Sequence, residues 1–284
     1  VQDRKMTLSE LAQKALATRR EVLRMIYRAG AGHIGGALSA VDLLVVLFYD
    51  IMNYRPEEPD WPMRDRFILS KGHSCEGYYV ILADRGYFPR EELTSFMKYQ
   101  SRLMGHPHPE IPGVEIATGS LGHGLSVAVG MALAGKRDQL PYRVYCLLGD
   151  GELAEGSIWE AAMAAAHYGL DNLVCLIDCN GLQISGPTKQ VMNTQPLAAK
   201  WEAFGWAVRA IDGHDLQQIR QHLNLVPFST GRPSLVIART VKGKGISFIE
   251  NDYHWHHRVP TSEEYERAMR ELAGPGRQGL EDDR

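Results

Sequence analysis

Apolar positions recur at helical spacing near the start of the chain, at Leu8, Leu11, Ala15, Leu16, Val22, Leu23 and Ile26. Thr7 and Glu10 form a capping-box pattern ahead of them and Gly30 follows, so the spacing predicts a helix over Thr7 to Ala29. A glycine-rich link, Ala31 to Leu38, then leads to a second capped helix from Ser39 to about Met52. Beyond it the pattern alternates. Short apolar runs that read as strands lie at Arg66–Ser70, Val144–Leu148, Leu173–Asp178, Ala207–Ile211 and Ser234–Arg239. Helical spacing falls between or beside them, at Ser74–Asp84, Arg90–Lys98, Leu121–Lys136, Ser157–Tyr168, Asp215–Leu223 and Ser262–Leu272. Strands apolar on both faces and separated by helices predict an α/β fold: a doubly wound, mostly parallel sheet with helices on both faces. One domain is expected over 1–272, with a polar, glycine-rich C-terminal tail over 273–284.

Composition changes this picture little. The 284 residues are 44% hydrophobic and 23% charged, enough for a substantial core. The formal net charge is -3 and the basic residues are scattered, so nucleic acid is not an expected partner. The apolar runs are short: Leu43–Phe48 and Leu173–Ile177, for example, are far from long enough to span a bilayer, and no secretory signal is read at the start. Cys75, Cys146, Cys175 and Cys179 form no CxxC pair and fit reduced thiols of a cytoplasmic enzyme.

Candidate chemistry sits where strands end, which is where ligands bind in such sheets. Val144–Leu148 runs into Gly149-Asp150-Gly151, and Leu173–Asp178 runs into Cys179-Asn180-Gly181-Leu182. A carboxylate and an amide oxygen at neighbouring strand ends suit a hard cation such as Mg²⁺, with Ca²⁺ or Mn²⁺ as substitutes. The glycines let backbone N–H groups approach phosphate oxygens. Gly-Asp-Gly alone is more often just a turn; its place after a strand and the spaced Asn180 make the cation site the better reading. No Walker P-loop is found, and no Gly-x-Gly-x-x-Gly follows a strand.

With these residues in view, the chain resembles transketolase, in the N-terminal, diphosphate-binding part of the bacterial two-subunit type. Gly32-His33, Ser70-Lys71-Gly72-His73, Gly105-His106-Pro107, Thr118-Gly119-Ser120-Leu121-Gly122-His123-Gly124, Gly149-Asp150-Gly151-Glu152, Asp178-Cys179-Asn180 and Lys242-Gly243-Lys244-Gly245 carry the resemblance in order. It implies thiamine diphosphate as cofactor, and a metal held by Asp150, Asn180 and the carbonyl of Leu182. Cofactor contacts would come from His73, Gly119, Leu121, Gly151, Asn180 and His256, with Glu155 linking paired cofactor sites. His33, His73, His106 and His256 would face the donor sugar and handle its protons. It further implies a C-terminal partner subunit, two copies of each chain in a heterotetramer, and sugar or sugar-phosphate substrates between which a two-carbon ketol unit moves. Deoxyxylulose-phosphate synthesis, 2-oxo-acid decarboxylation and a non-catalytic cofactor-binding role are the alternatives. One departure stands out: related chains read Trp-His-Gly where this one reads Trp255-His256-His257, so an altered substrate preference is expected from the added ring.

Overall fold

A computed structural model of the protein describes residues 5–273. The expected tail therefore lies, beyond Ala273, outside the described residues. Helix α1 (Leu8–Ala29) starts as its sequence dictates: the Thr7 hydroxyl accepts the Glu10 N–H at 3.2 Å and the Glu10 carboxylate accepts the Thr7 N–H at 2.6 Å. Gly30 ends it in the left-handed conformation.

Helix α2 (Ile34–Val46), continued by a π-turn over Leu47–Ile51, departs from expectation. It begins at Ile34, inside the expected link, and Ser39 is an interior residue rather than a cap. The glycines serve close packing instead of freedom. A Cβ on Gly35 would come within 2.8 Å of the Trp255 carbonyl, and one on Gly36 within 2.8 Å of Ser74 Oγ. The stretch Ile34–Ile51 is long and apolar enough to cross a membrane, yet 83% of it is buried inside the fold as the central helix of a core.

The remaining elements are β1 (Arg66–Leu69), α3 (Cys75–Asp84), α4 (Gly124–Arg137), β2 (Val144–Gly149), α5 (Gly156–His167) and β3 (Leu173–Cys179). A small antiparallel ladder, β4 (Leu182–Gln183) and β5 (Gly186–Pro187), leads into α6 (Thr188–Val191) and α7 (Leu197–Ala203). Then follow β6 (Ala207–Asp212), α8 (Leu216–Asn224), β7 (Ser234–Arg239) and α9 (Ser262–Glu271). The span Arg90–Lys98, expected as a helix, holds only a 3₁₀ segment at Arg90–Ser95.

Five strands form one parallel sheet in the order β1-β2-β3-β7-β6. Alternate side chains enter two separate cores. Phe67, Leu69, Tyr145, Leu147, Val174, Leu176, Val236 and Ala238 pack with α1, α2, α3 and α8. Ile68, Cys146, Leu148, Cys175, Ile177, Leu235 and Ile237 pack with α4, α5 and α7. Burial on both faces explains why β2, β3 and β7 read as nearly unbroken apolar runs, whereas the edge strand β6 exposes Arg209 and Ala210. The register pairs Gly149 with Asp178, so β2 and β3 end level and the segments after them emerge side by side.

Candidate active site

Asp150 is the first residue past β2 and is 4% exposed. Its N–H donates to the Asp178 carbonyl at 3.2 Å, which ties the two strand ends together. One carboxylate oxygen accepts the Gly151 N–H at 2.9 Å and the other the Gly181 N–H at 2.7 Å. Burial, and secondarily the negative Asp178 nearby, push the Asp150 carboxyl up to about 6. Asn180 Oδ1 accepts the Leu182 N–H at 3.1 Å. Asp150, just past β2, and Asn180, just past β3 and two residues before Leu182 opens β4, thus stand side by side and line an open cleft of about 330 Å³ that is rimmed in part by Lys189, Gln195 and Arg239. Gln183 lies over Gly151 with a buried Oε1 that has no hydrogen-bond partner among the described residues.

A buried ion pair lies behind this turn. Lys71, 2% exposed, donates to Asp178, which is fully buried and also accepts from the hydroxyls of Ser39 and Thr240. Coulombic attraction to Lys71 and these hydrogen bonds overcome the burial penalty and hold the Asp178 carboxyl below its ordinary range. Lys242 is equally buried but has no carboxylate partner among the described residues; its ammonium meets His256 Nδ1 at 3.2 Å. Desolvation, aided by the like charge of Lys71, brings it down to about 8. A buried cation without an anion is costly unless a ligand supplies one.

Histidines from four separate segments form the other end of the site. His33 lies at the centre, its ring 5.5 Å from His73, 5.8 Å from His106, 5.7 Å from His256 and 4.7 Å from His257. His73 and His256 stack at 5.1 Å. His33 precedes the first residue of α2, and its N–H donates to the fully buried Glu76 at 2.7 Å. Burial, then the neighbouring His257, His106 and Lys242, lower His33 to about 4. Burial and Lys242 lower His256 to about 3. His73 is depressed by burial and by Lys71, and His106 by burial. All four are therefore neutral near pH 7, each with one ring nitrogen to donate and one to accept. The buried Nδ1 of His33 has no hydrogen-bond partner among the described residues.

Gly119 also belongs to this end, because a Cβ there would come within 2.8 Å of the His106 ring. Leu121 and Glu155 do not join either group by contact. Glu155 is exposed and packs on Gly122, in the loop that follows Leu121. That loop is anchored by Glu152, whose carboxylate accepts the Gly122 N–H at 2.9 Å, the Gly149 N–H at 3.1 Å and the Ser70 hydroxyl. Lys71, Glu76, Glu152, Asp178 and Lys242 are the residues that sequence reasoning leaves unassigned. Their signal is position: Lys71 and Asp178 each stand at the end of an apolar strand, and Lys242 opens a glycine-bracketed run.

The donor set fits a metal–diphosphate group. Oxygen donors for a hard cation lie at two adjacent strand ends, backbone N–H groups of glycine-rich segments stand beside them, and the buried Lys242 has no carboxylate partner among the described residues. Comparison with known proteins bears on the same point. The family described as "Transketolase, thiamine diphosphate binding domain" matches residues 12–277. One of the subunits of the apulose-4-phosphate transketolase of Phocaeicola vulgatus is 46% identical over 268 residues, covering 94% of this chain and 95% of its own length. The 6-deoxy-6-sulfo-D-fructose transketolase subunit SqwG of a Clostridium species is 41% identical, covering 94% and 98%. The transketolase structure from Campylobacter jejuni superposes with a TM-score of 0.89 at 34% identity, covering 94% of this chain but 43% of its own. The chain thus spans about two fifths of the solved transketolases and almost all of the relatives named as subunits. With the family match spanning both ends of the site, the chain belongs to the transketolase family, as its thiamine-diphosphate-binding domain.

Proposed function

We propose that this chain, assembled with a partner carrying the rest of a transketolase, moves a two-carbon ketol unit from a ketose or its phosphate to an aldose or its phosphate. The observation that carries this reading is the convergence of four histidine rings beside two oxygen-bearing strand ends and a buried lysine that has no carboxylate partner among the described residues. Asp150, Asn180 and the Leu182 carbonyl would hold Mg²⁺. The Gly151 backbone, Asn180, His73, His256 and Lys242 would hold the diphosphate, and Gly119 and Leu121 would border the cofactor rings. Bound thiamine diphosphate supplies the carbanion and electron sink for breaking and making the carbon–carbon bond.

The protein's own part is to bind, orient and move protons. His33, His73, His106 and His256 each offer a donor and an acceptor to the hydroxyls of a polyhydroxy substrate. A neutral imidazole accepting a hydroxyl proton as the donor's bond cleaves, and returning it as the acceptor adds, is general acid–base work. A 2-oxo acid has few hydroxyls to occupy such a cluster, so a sugar donor suits it better. Three relatives of matching length are named as subunits, and Glu155 is exposed with no polar side-chain contact among the described residues, both of which support a partner that completes the site. A heterotetramer of two chains of each kind and a cytoplasmic setting complete the proposal.

Reconstitution tests it. Purified chain with thiamine diphosphate and Mg²⁺ should bind the cofactor with little or no ketol transfer, and adding the partner should restore turnover. Full turnover by the chain alone would refute the partner requirement; a saturated complex without transfer would overturn the reading.

A further inference from the structure

The histidine cluster contains a fifth ring that the roles above leave idle. His257 is exposed, and at 4.7 Å it is the ring nearest to His33 among the described residues, meeting it edge to face at 65°. It makes no hydrogen bond among the described residues, so both ring nitrogens are unclaimed there.

Its position is imposed by the loop that carries it. Trp255 is 2% exposed, packs edge to face on Phe248 at 5.7 Å and lies under the Arg258 guanidinium at 4.0 Å. Arg258 in turn pairs with Glu264 of α9 at 2.6 Å. The Trp255 carbonyl rests against Gly35, at the start of the helix that His33 precedes. The loop is thus pinned on both sides of the two histidines. His256 is turned inward to Lys242, and His257 outward over His33.

We propose that His257 is a specificity-determining residue for the donor, meeting the part of the sugar that lies beyond the bond that breaks. The inference rests on the ketol-transfer reading. His33, His73 and His256 are partly buried, whereas His106 and His257 are exposed and stand at the solvent edge of the cluster. An extended ketose whose reacting end lies among the less exposed rings leaves the site across this edge, and of its two rings His257 is the nearer to His33. There an unclaimed imidazole can hydrogen-bond a distal hydroxyl or phosphate and limit bulk along the chain. A rim contact of this kind discriminates by the hydrogen bond that is lost when the distal group is absent.

The test uses the reconstituted two-chain enzyme and two donors of the same two-carbon unit. One is a ketose phosphate; the other is hydroxypyruvate, which has a carboxylate in place of the sugar chain. His257→Ala should lower kcat/KM for the ketose phosphate by about tenfold and for hydroxypyruvate by about twofold or less. His257→Asn, which keeps a donor and an acceptor near the same place, should recover most of the ketose value. Equal losses with both donors would mean that the ring merely supports His33, and no loss with either would mean that it is idle; both overturn the proposal. If the unaltered enzyme transfers nothing from either donor, the ketol-transfer reading fails first and this inference falls with it.

Discussion

The two ends of the site are built by opposite means. At the Asp150 end, the parallel register brings β2 and β3 to a level finish, and backbone N–H groups of the next few residues orient the side chains. At the histidine end, no single element sets the geometry. His33, His73, His106 and the His256–His257 pair arrive from separate loops and are fixed by buried supports: Glu76 under His33, Lys242 under His256, and Trp255 against Gly35. Charge differs as well. The first end gathers oxygen donors for a cation, and the second gathers rings among which burial lowers the pKa of His33 and His256. The lesson is a division of labour, with one end suited to holding a charged group and the other to handling protons without adding charge.

Substitutions that separate the two ends would sharpen this comparison or break it. The largest effect is expected for Asp150→Ala, which should weaken thiamine diphosphate and Mg²⁺ binding by at least about a hundredfold in calorimetric titration. His33→Ala should do the reverse: cofactor affinity stays within about twofold, while ketol transfer by the assembled enzyme falls by about a hundredfold or more. Similar losses of affinity in both variants would erase the distinction between the ends.

Lys242→Met probes the junction. Cofactor affinity should drop by about tenfold, yet the cofactor-free chain should gain on the order of 1 kcal/mol, about 2–4 °C in Tm, because a buried cation without an anion is removed. The smallest effect belongs to Glu76→Gln. Burial raises the Glu76 carboxyl to about 7 from 4.5, so its stabilising contribution is fully present below about 4.5 and is lost as the pH rises through about 7. The variant should therefore be more stable than the parent at pH 8, by on the order of 1 kcal/mol. The gap should close as the pH falls towards 5, and a gap independent of pH would remove Glu76 from the account.

The same contrast explains what can be read in the sequence. The central strands are legible because burial on both faces leaves nearly unbroken apolar runs, and the Asp150–Asn180 pair is legible because its chemistry follows those runs directly. The start of α2 is not, because Gly35 and Gly36 look like freedom in a sequence, whereas here they admit the Trp255 carbonyl and Ser74. The β4–β5 ladder and α6 are too short to show periodicity. Lys71, Asp178 and Lys242 escape assignment because an isolated charge reads as solvated until its surroundings are known. Each histidine, taken singly, reads as a surface residue; the resemblance singles out four of them, and the fold brings the rings within 6 Å of His33.

The central claim is that both ends serve one ketol transfer. Following the carbon skeleton tests it most directly: the assembled enzyme is given a ketose labelled at its first two carbons and an unlabelled aldose, and the products are examined by NMR. The account predicts that the labelled pair appears intact as the first two carbons of the new ketose, with an unlabelled, shortened aldose left behind. Label retained in the donor skeleton, or released as a fragment of another length, by an enzyme saturated with thiamine diphosphate and Mg²⁺ would contradict it.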